Sequence, residues 1–348
     1  MHFSSNIYFI SWASVGGREE SFSPHRKGFD FFHDADSFGE STFEKGESEL
    51  SRLCLNFALN KSKLSPKNLE LLVAGDLQNQ CVASSYGLYS FGIPYFPLYG
   101  ACSTCTEALL ASSIYLECVA KSEGHHLAAA VTSSHNSAAE RQFRTPLEYG
   151  AERAPTAQWT ATAGGAFILG CGTIPADAYA RDFPFAVSVR MGMAGKMIDG
   201  AITDASNMGP AMAPAARDTI CRFFKNEDIA PSELDAIITG DLGEVGSQLL
   251  ISLLEQDNIK IGQIHKDCGC MLYDKESQDF HSGASGCGAS ASLLGALILP
   301  KLASGEWRRV LFLSTGALMS PTSVLQGINI FGIAPLVVLE SKPIFSLL

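Results

Sequence analysis

The strongest constraint on the fold of this 348-residue chain is an internal repeat. Residues 64–77 align with residues 229–242 without a gap, and each copy runs from a Pro-started turn through a short apolar segment to Gly-Asp-Leu. Self-similarity of this kind indicates that one supersecondary unit has been used twice. A short apolar segment bounded by turn residues is typical of a parallel strand that is buried on both faces. The chain is therefore predicted to contain two related α/β halves.

The similarity continues downstream of the first match. Three further pairs of segments correspond, namely 100–110 with 283–294, 127–133 with 309–315, and 165–169 with 335–339. With opening strands predicted at residues 7–13 and 185–191, each half has the element order β-α-β-α-β-α-β-β. Strands that alternate with helices favour a mostly parallel sheet covered by helices. We predict a layered αβαβα fold with halves at residues 1–175 and 176–348 and a boundary near residues 174–184.

Two segments have no regular pattern. Residues 16–42 are rich in Gly, Ser, Asp, Phe and His, and residues 265–284 are equally irregular. Long connections without secondary structure usually lie on the surface and often serve a function. We expect both segments to be loops that cover a site or an interface.

Composition excludes several classes of protein. Hydrophobic residues make up 46% and charged residues 18%, which is typical of a large buried core. A net charge of −11 argues against a nucleic-acid partner. The chain shows no apolar run long enough for a membrane helix and no secretory signal, so a soluble protein is expected. Its ten cysteines lack regular spacing and are expected to be reduced thiols.

Cys102 is the first candidate functional residue. It follows Gly100 and Ala101 at a predicted strand-to-helix turn, where the helix N-terminus stabilises a thiolate. The position suits a nucleophile or the lining of an anion site. Cys102 also forms a CxxC with Cys105. A structural zinc site needs two such CxxC pairs, or one pair with His partners, and the sequence has only one pair. We expect no metal and no cofactor, because nucleotide-binding glycine motifs are also missing.

A second group of candidates follows the strand at residues 127–133. His135 comes at the strand end, and Arg141 and Arg144 follow at i and i+3. That spacing places both guanidinium groups on one side of a helical turn, which suits a ligand bearing carboxylates. His135 can equally be an ordinary polar residue at a strand end, and Arg141 can pair with Glu140 or Glu148 on the surface. The residues alone leave these alternatives open.

The remaining candidates lie at strand ends or near the second-half turn. Asp76 and Asp241 end matching strands, at the edge where α/β proteins place ligands. An Asp there can also cap the next helix, and for Asp241 we favour capping. His281 precedes the turn that matches the Cys102 elbow, so it is a candidate for the same pocket, or else a solvated loop residue. The role of the segment around Asp267, between His265 and Cys270, is left unassigned.

Several strings together resemble a known family. Residues 75–80, 99–104, 132–144 and 208–216 are similar to the stage V sporulation protein AD family, within the thiolase superfamily. The resemblance runs from about residue 44 to the C-terminus. It implies a thiolase-like fold and membership of the SpoVA system of spore-forming bacteria. That system moves the calcium chelate of dipicolinic acid into the developing spore and releases it at germination.

The resemblance also implies partners and a location. The ligand would be dipicolinic acid, with or without calcium, and the protein partners would be the membrane proteins of the SpoVA system. A thiolase-like fold further implies a homodimer. The protein would be made in the cytoplasm and associate peripherally with the spore inner membrane.

The resemblance places the chemistry at Cys102, which matches the nucleophile of condensing enzymes. Condensation needs a His, or a His and an Asn, brought near this Cys from the second half. Asp241 instead offers a carboxylate, which would oppose thiolate formation and repel an enolate. His281 lies in a string that only loosely resembles the thiolase one and lacks its Pro.

We therefore predict a pocket that binds dipicolinate without catalysis. The predicted ligand-binding residues are Asp76, Cys102, His135, Arg141, Arg144, Asp241 and His281. One alternative is an active acyltransferase that uses Cys102 as nucleophile and His281 as base. The other is a scaffold that docks membrane partners through residues 16–42.

Overall fold

A computed structural model describes residues 1–143, 154–172, 183–278 and 280–344. Its first half contains the strands β1 (His2–Gly16), β2 (Phe31–Phe32), β3 (Leu71–Gly75), β4 (Tyr95–Pro97), β5 (His125–Ser134), β6 (Trp159–Thr160) and β7 (Ala163–Gly172). The helices of this half are α1 (Phe43–Ser62), α2 (Val82–Leu88), α3 (Thr104–Val119) and α4 (Asn136–Phe143).

The second half contains the strands β8 (Phe185–Met193), β9 (Ile198–Asp199), β10 (Ala236–Thr239), β11 (His265–Asp267), β12 (Ala284–Ser285), β13 (Arg309–Leu313), β14 (Gly316–Leu318), β15 (Phe331–Ile333) and β16 (Leu336–Pro343). Its helices are α5 (Met208–Asn226), α6 (Gly243–Gln256), α7 (Cys268–Leu272), α8 (Cys287–Leu293), α9 (Leu299–Ala303) and α10 (Pro321–Leu325). A π-helical turn, Leu294–Ile298, joins α8 to α9.

The strand order of the main sheet reflects the internal repeat. The strands run β11-β10-β13-β16-β8-β1-β7-β5-β3-β4, so five strands of each half appear in mirrored order. The halves meet where β1 and β8 pair antiparallel, with Tyr8 opposite Ser188. Both strands contain the predicted opening segments, and β7 and β16 contain most of each predicted closing segment. The predicted boundary at residues 175 and 176 lies outside the described residues.

Helices cover the sheet in three layers. Helices α1 and α2 pack together on the outer side of the first half, and α5 and α6 do so in the second half. Helix α3 contacts β3 and β5 of the first half and β8 and β16 of the second, while α8 contacts α3, β5 and β7. The buried apolar residues accordingly form three large clusters, one central and one beneath each outer pair of helices. The predicted layered αβαβα fold is confirmed.

The central helices fit between the strands because their residues are small. Every residue of α8 is buried, as expected for a helix that has no solvent-facing side. A Cβ atom on Gly288 would lie 2.1 Å from the carbonyl oxygen of Ala163 in β7 and 2.5 Å from the hydroxyl of Ser134 in β5. Glycine therefore permits the close approach that brings the start of α8 against the first half.

The two irregular segments are more structured than expected. Residues 265–284 include β11, which extends the main sheet, and Cys268, which is completely buried in the central cluster. Residues 16–42 include β2, which pairs with β1. Residues 265–284 are therefore not only a covering loop, because β11 is the second-half counterpart of β4 in the main sheet.

A buried carboxyl group joins these two segments. Glu20 accepts hydrogen bonds from the backbone N–H groups of Gly17 at 3.1 Å and Thr162 at 3.0 Å. It also accepts one from the Tyr273 hydroxyl at 2.5 Å. Burial raises the pKa of Glu20 to about 7, although the hydrogen bond from Tyr273 lowers it in part. The two segments therefore support each other across the repeat.

Among the described residues, no helix combines the length and apolar character that crossing a membrane requires. The longest described helix, α1, has exposed lysines near its two ends, Lys45 and Lys61, and packs its buried residues against the sheet and α2.

Replacing Gly288 with Ala is expected to destabilise the fold, because the new methyl group must displace backbone atoms of β7. The expected loss is about 1–3 kcal/mol in the free energy of unfolding, measured by chemical denaturation. Gly262→Ala is the matched control, since its Cβ would meet only Ile251, at 3.8 Å. Equal stability of the two variants would contradict this account of the central layer.

Candidate functional site

Cys102 lies in a tight turn that leads into the central helix α3. The preceding residue, Ala101, has a φ of +52°, a left-handed conformation that is uncommon for a residue with a side chain. The Thr104 hydroxyl stabilises the turn, since it donates to the Ala101 carbonyl oxygen at 2.7 Å and accepts from the Gly100 N–H at 3.1 Å. Strained backbone of this kind is found preferentially at functional sites. The predicted elbow is therefore present.

A small cleft opens at Cys102. Most of the lining is apolar, and both halves contribute to it. The lining residues are Leu77, Tyr99, Ala101, Cys102, Ala139, Glu140, Phe143 and Thr160 from the first half, and Met208, Ser285, Gly286, Ala317 and Met319 from the second.

Asp241 lies directly behind this cleft and is completely buried. Its carboxyl oxygens accept hydrogen bonds from the Gly286 N–H at 2.7 Å and from the Thr315 hydroxyl at 3.0 Å. The Cys102 thiol donates a third hydrogen bond to the same group. Burial raises the pKa of Asp241 to about 7, and these hydrogen bonds lower it in part. The structure thus places a second-half carboxylate beside the thiol.

The expectation that Asp241 caps the next helix is wrong. The N–H groups of Leu242 and Gly243, at the start of α6, donate instead to Asp267, at 2.9 and 3.0 Å. Asp267 also accepts from the Cys270 N–H at 3.1 Å and so caps α7. Sequence reasoning missed this residue, although an Asp immediately before a helix is a recognised capping signal.

Asp76 has a local structural role. It is completely buried and accepts from the Gln78 N–H at 2.8 Å and from the N–H and hydroxyl of Ser84 at 2.7 and 2.6 Å. These hydrogen bonds anchor α2 to the end of β3. They agree with the alternative that Asp76 caps the next helix. Asp76 does not line the cleft, whereas its neighbour Leu77 does. Burial raises the pKa of Asp76.

Another buried acid, Glu47 of α1, was also missed by sequence reasoning. Its carboxyl group accepts from the Gln78 amide at 2.7 Å and from the Ser133 hydroxyl at 3.3 Å. Burial raises its pKa well above the ordinary value, and the nearby charge of Asp76 adds to this effect. Nothing in the local sequence marks it, because it occupies one polar position in an amphipathic helix.

His135 points towards the segment 16–42 and does not line the cleft. Its Nε2 lies 2.5 Å from the carbonyl oxygen of Asp36, and its ring packs against Phe43 at 5.5 Å between centroids. Burial lowers the pKa of His135, so the neutral ring donates to this carbonyl group. His135 thus holds residues 16–42 against the start of α4. This agrees with the alternative that His135 is an ordinary polar residue at a strand end.

Of the two arginines predicted to bind a ligand, the structure describes only Arg141. Arg141 forms a salt bridge with Glu44 of α1, and its side chain is 58% exposed. Arg141 thus forms a surface ion pair, as the alternative proposed, but its partner is Glu44 and not Glu140 or Glu148. Arg144 lies outside the described residues.

His281 lies at a different cleft, together with Cys270, Tyr273 and Lys275. It is not among the described residues that line the Cys102 cleft. The prediction that it reaches the Cys102 pocket is therefore wrong. Its φ of +49° shows that the chain turns sharply at this residue, which the sequence comparison with the first half did not reveal.

The other cysteines near the site have packing roles. Cys105 faces the central cluster, and burial raises its pKa to about 12. Cys287, at the start of α8, packs with Cys102, Leu77 and Ala139, and its thiol lies 3.0 Å from the Ser133 carbonyl oxygen. Across the described parts of the chain, no three His, Cys, Asp or Glu side chains converge as metal ligands would.

Two mirrored halves around central helices, with a cysteine at the first-half elbow, define a thiolase-like protein. Solved structures support this class. The tetronic acid condensing enzyme AbyA1 is 16% identical with a TM-score of 0.57, and the match covers 96% of this chain and 99% of that one. Xanthomonas campestris OleA with bound cerulenin is 13% identical with a TM-score of 0.59, covering 97% and 98% of the two chains. At such identities the likeness shows the fold.

The sequence itself identifies the family. Residues 1–340 match the family model of stage V sporulation protein AD (SpoVAD). Stage V sporulation protein AD of Bacillus subtilis (strain 168) is 37% identical over 338 residues, covering 97% of this chain and 95% of that protein. The chain belongs to the SpoVAD family, as its resemblance predicted, and is a sporulation protein. The match also includes residues 1–43, where the resemblance was expected to be weaker.

Replacing Asp241 with Asn is expected to make Cys102 more reactive, because a negative charge beside the thiol opposes thiolate formation. We expect iodoacetamide to alkylate Cys102 about tenfold faster or more at a pH near 8, where Asp241 is ionised. Peptide mass spectrometry would measure the rate at Cys102 separately from the other thiols. Asp204→Asn, which removes an exposed carboxylate, is the control. An unchanged rate would show that Asp241 does not restrain the thiol.

Proposed function

We propose that the Cys102 cleft binds dipicolinic acid, free or as its calcium chelate, without transforming it. The protein would serve the SpoVA system in dipicolinate uptake during sporulation and release during germination. Membership of the SpoVAD family supports the sporulation role, and the resemblance of the sequence to that family implies the ligand. The site residues support binding over catalysis.

The pairing of the Cys102 thiol with the Asp241 carboxyl group is the observation on which this proposal depends. A condensing enzyme activates its cysteine with a base and stabilises an oxyanion with hydrogen-bond donors. A buried carboxylate at the thiol does the opposite, because it disfavours both a thiolate and an enolate. His281, the base of the alternative acyltransferase, lies at another cleft.

The lining of the cleft suits a small planar ligand. Tyr99 and Phe143 supply aromatic faces against which a pyridine ring can pack. The hydroxyl-bearing residues Thr160 and Ser285 also line the cleft, as potential hydrogen-bond donors to carboxylates. Cys102 sits at the N-terminus of α3, where anions are favoured. We propose that Arg141 and Arg144 add positive charge near the ligand.

Calorimetry with dipicolinic acid, with and without calcium, tests this function. We expect the wild-type protein to bind, and Met319→Trp to weaken binding at least about tenfold because the larger side chain fills the cleft. Met197→Trp is the matched control, since Met197 is 68% exposed and lies outside the cleft lining. Arg141→Ala and Arg144→Ala test the role proposed for these two residues.

Two outcomes would overturn the proposal. The first is an absence of binding by the wild-type protein to either form of the ligand. The second is an acyl adduct on Cys102 after incubation with acyl-CoA, detected by mass spectrometry, which would favour the acyltransferase alternative. If cleft variants bind normally and spores retain normal dipicolinate, the scaffold alternative through residues 16–42 would be favoured.

We further propose that the protein acts as a homodimer at the spore inner membrane, alongside the membrane proteins of the SpoVA system. All three residues of β4 are exposed, and this strand forms one edge of the main sheet. Nearby, Tyr86, Tyr89 and Phe96 are 78%, 85% and 53% exposed. An edge strand surrounded by exposed aromatic side chains favours pairing with another chain, and a two-fold axis would pair β4 with its own copy.

Phe96→Lys is expected to convert the dimer to a monomer, because it places a charge at the centre of the proposed contact. Analytical ultracentrifugation would measure the mass in solution. Leu325→Lys is the control, since Leu325 is 87% exposed on α10, in the other half of the chain. A wild-type monomer, or a dimer that both variants retain, would contradict pairing through β4.

A further inference from the structure

The charge behind the Cys102 cleft poses a problem for an anionic ligand. Asp241 is completely buried, and it bonds both Cys102 and Gly286, which line the cleft. No Lys, Arg or His is among the described residues that line the cleft or hydrogen-bond to Asp241. A ligand bearing carboxylates therefore approaches a carboxylate that has little solvent to screen it.

The groups around Asp241 do not neutralise it. Asp267, from the end of β11, adds a like charge that raises the pKa of Asp241, and its own oxygens accept from the Leu242, Gly243 and Cys270 N–H groups. The titratable side chains that face Asp241 or the cleft are Cys102 on the elbow, Asp267 on β11, Cys268 on α7, Cys287 on α8, Glu140 on α4, and Tyr99 beside the elbow. All of these are acids, so none of the described groups that face Asp241 offers a compensating positive charge. Arg141, proposed to add charge near the ligand, is paired with Glu44.

We propose that the cleft binds its anionic ligand together with one proton, which Asp241 holds behind the Cys102 thiol. This inference rests on the proposed function, namely that the cleft binds a dicarboxylate. A proton from solvent adds to the Asp241 carboxylate, and no covalent bond to the ligand forms or breaks. The new carboxyl O–H can then donate to the Cys102 sulfur, which frees the thiol S–H to donate to the ligand.

The direction of the pH dependence follows from the chemistry of a buried acid. Burial raises the pKa of unliganded Asp241 to about 7, so the group is half ionised near neutral pH. A bound anion disfavours the ionised form and raises this pKa further. Affinity is therefore constant below about pH 7 and falls about tenfold per pH unit above it, until the pKa of the complex is reached. The carboxylates of the ligand ionise near pH 4 or below, so they do not contribute to this change.

Calorimetry across about pH 6 to about pH 8.5, in buffers with different ionisation enthalpies, tests the proposal. With dipicolinate as the probe, the wild-type protein is expected to take up close to one proton per ligand near pH 8. Asp241→Asn is expected to bind with pH-independent affinity and no proton uptake. Asp204→Asn, the surface control, is expected to behave like the wild type.

A second variant keeps the test informative if Asp241→Asn fails to fold. Thr315→Val removes a donor that favours ionised Asp241, so the pH at which affinity begins to fall should move upwards. The calcium chelate of dipicolinate provides a further comparison. Because it carries less negative charge, its binding should be accompanied by less proton uptake. Wild-type binding with pH-independent affinity and no buffer-dependent heat would overturn the inference while leaving the proposed function intact. An absence of dipicolinate binding at every pH would overturn the proposed function itself.

Discussion

The antiparallel pairing of β1 with β8 is the interaction on which the rest of the structure depends. It joins two five-stranded units through their opening strands, so that each unit continues the sheet of the other. This junction also encloses α8, every residue of which is buried, and the buried side of α3. The halves are therefore expected to fold as one body, because neither can bury its central helix alone.

The position of the site is a consequence of this arrangement. Helices α3 and α8 begin at the same end of the central layer, so Cys102 and Cys287 come into contact although they belong to different halves. The turn that follows β10 brings Asp241 to the same place. A cleft at such a junction has walls from both halves, so a change in the packing of either half alters it. The repeat thus explains both the fold and the place where a ligand can bind.

Much of the fold could be predicted because the repeat makes corresponding strands and helices recognisable by comparison within the chain. The position of Asp241 at the ligand-binding edge of the sheet was also predictable, since it ends a strand that matches the one ending at Asp76. The partners of His135 and Arg141 were not predictable. Each depends on a loop or helix that is distant in sequence, and the repeat contains no equivalent contact.

Asp267 illustrates the same limit in a different way. It replaces Asp241 as the cap of α6 because β11 places its carboxyl group closer to the helix start. Local sequence marks both residues as possible caps, and only the three-dimensional arrangement of β10 and β11 decides between them. Local propensity therefore identified the type of interaction, whereas the tertiary structure selected the residue.

The contact between Glu20 and Tyr273 has a consequence for the order in which the protein matures on the ribosome. Glu20 is made early, but its hydroxyl donor Tyr273 and the backbone N–H of Thr162 are made much later. Until then the side chain lacks the partners that compensate for its burial. Residues 16–42 are thus expected to take their final form late in synthesis, after the segment from the second half has emerged. The first loop of the chain is among the last parts to become ordered.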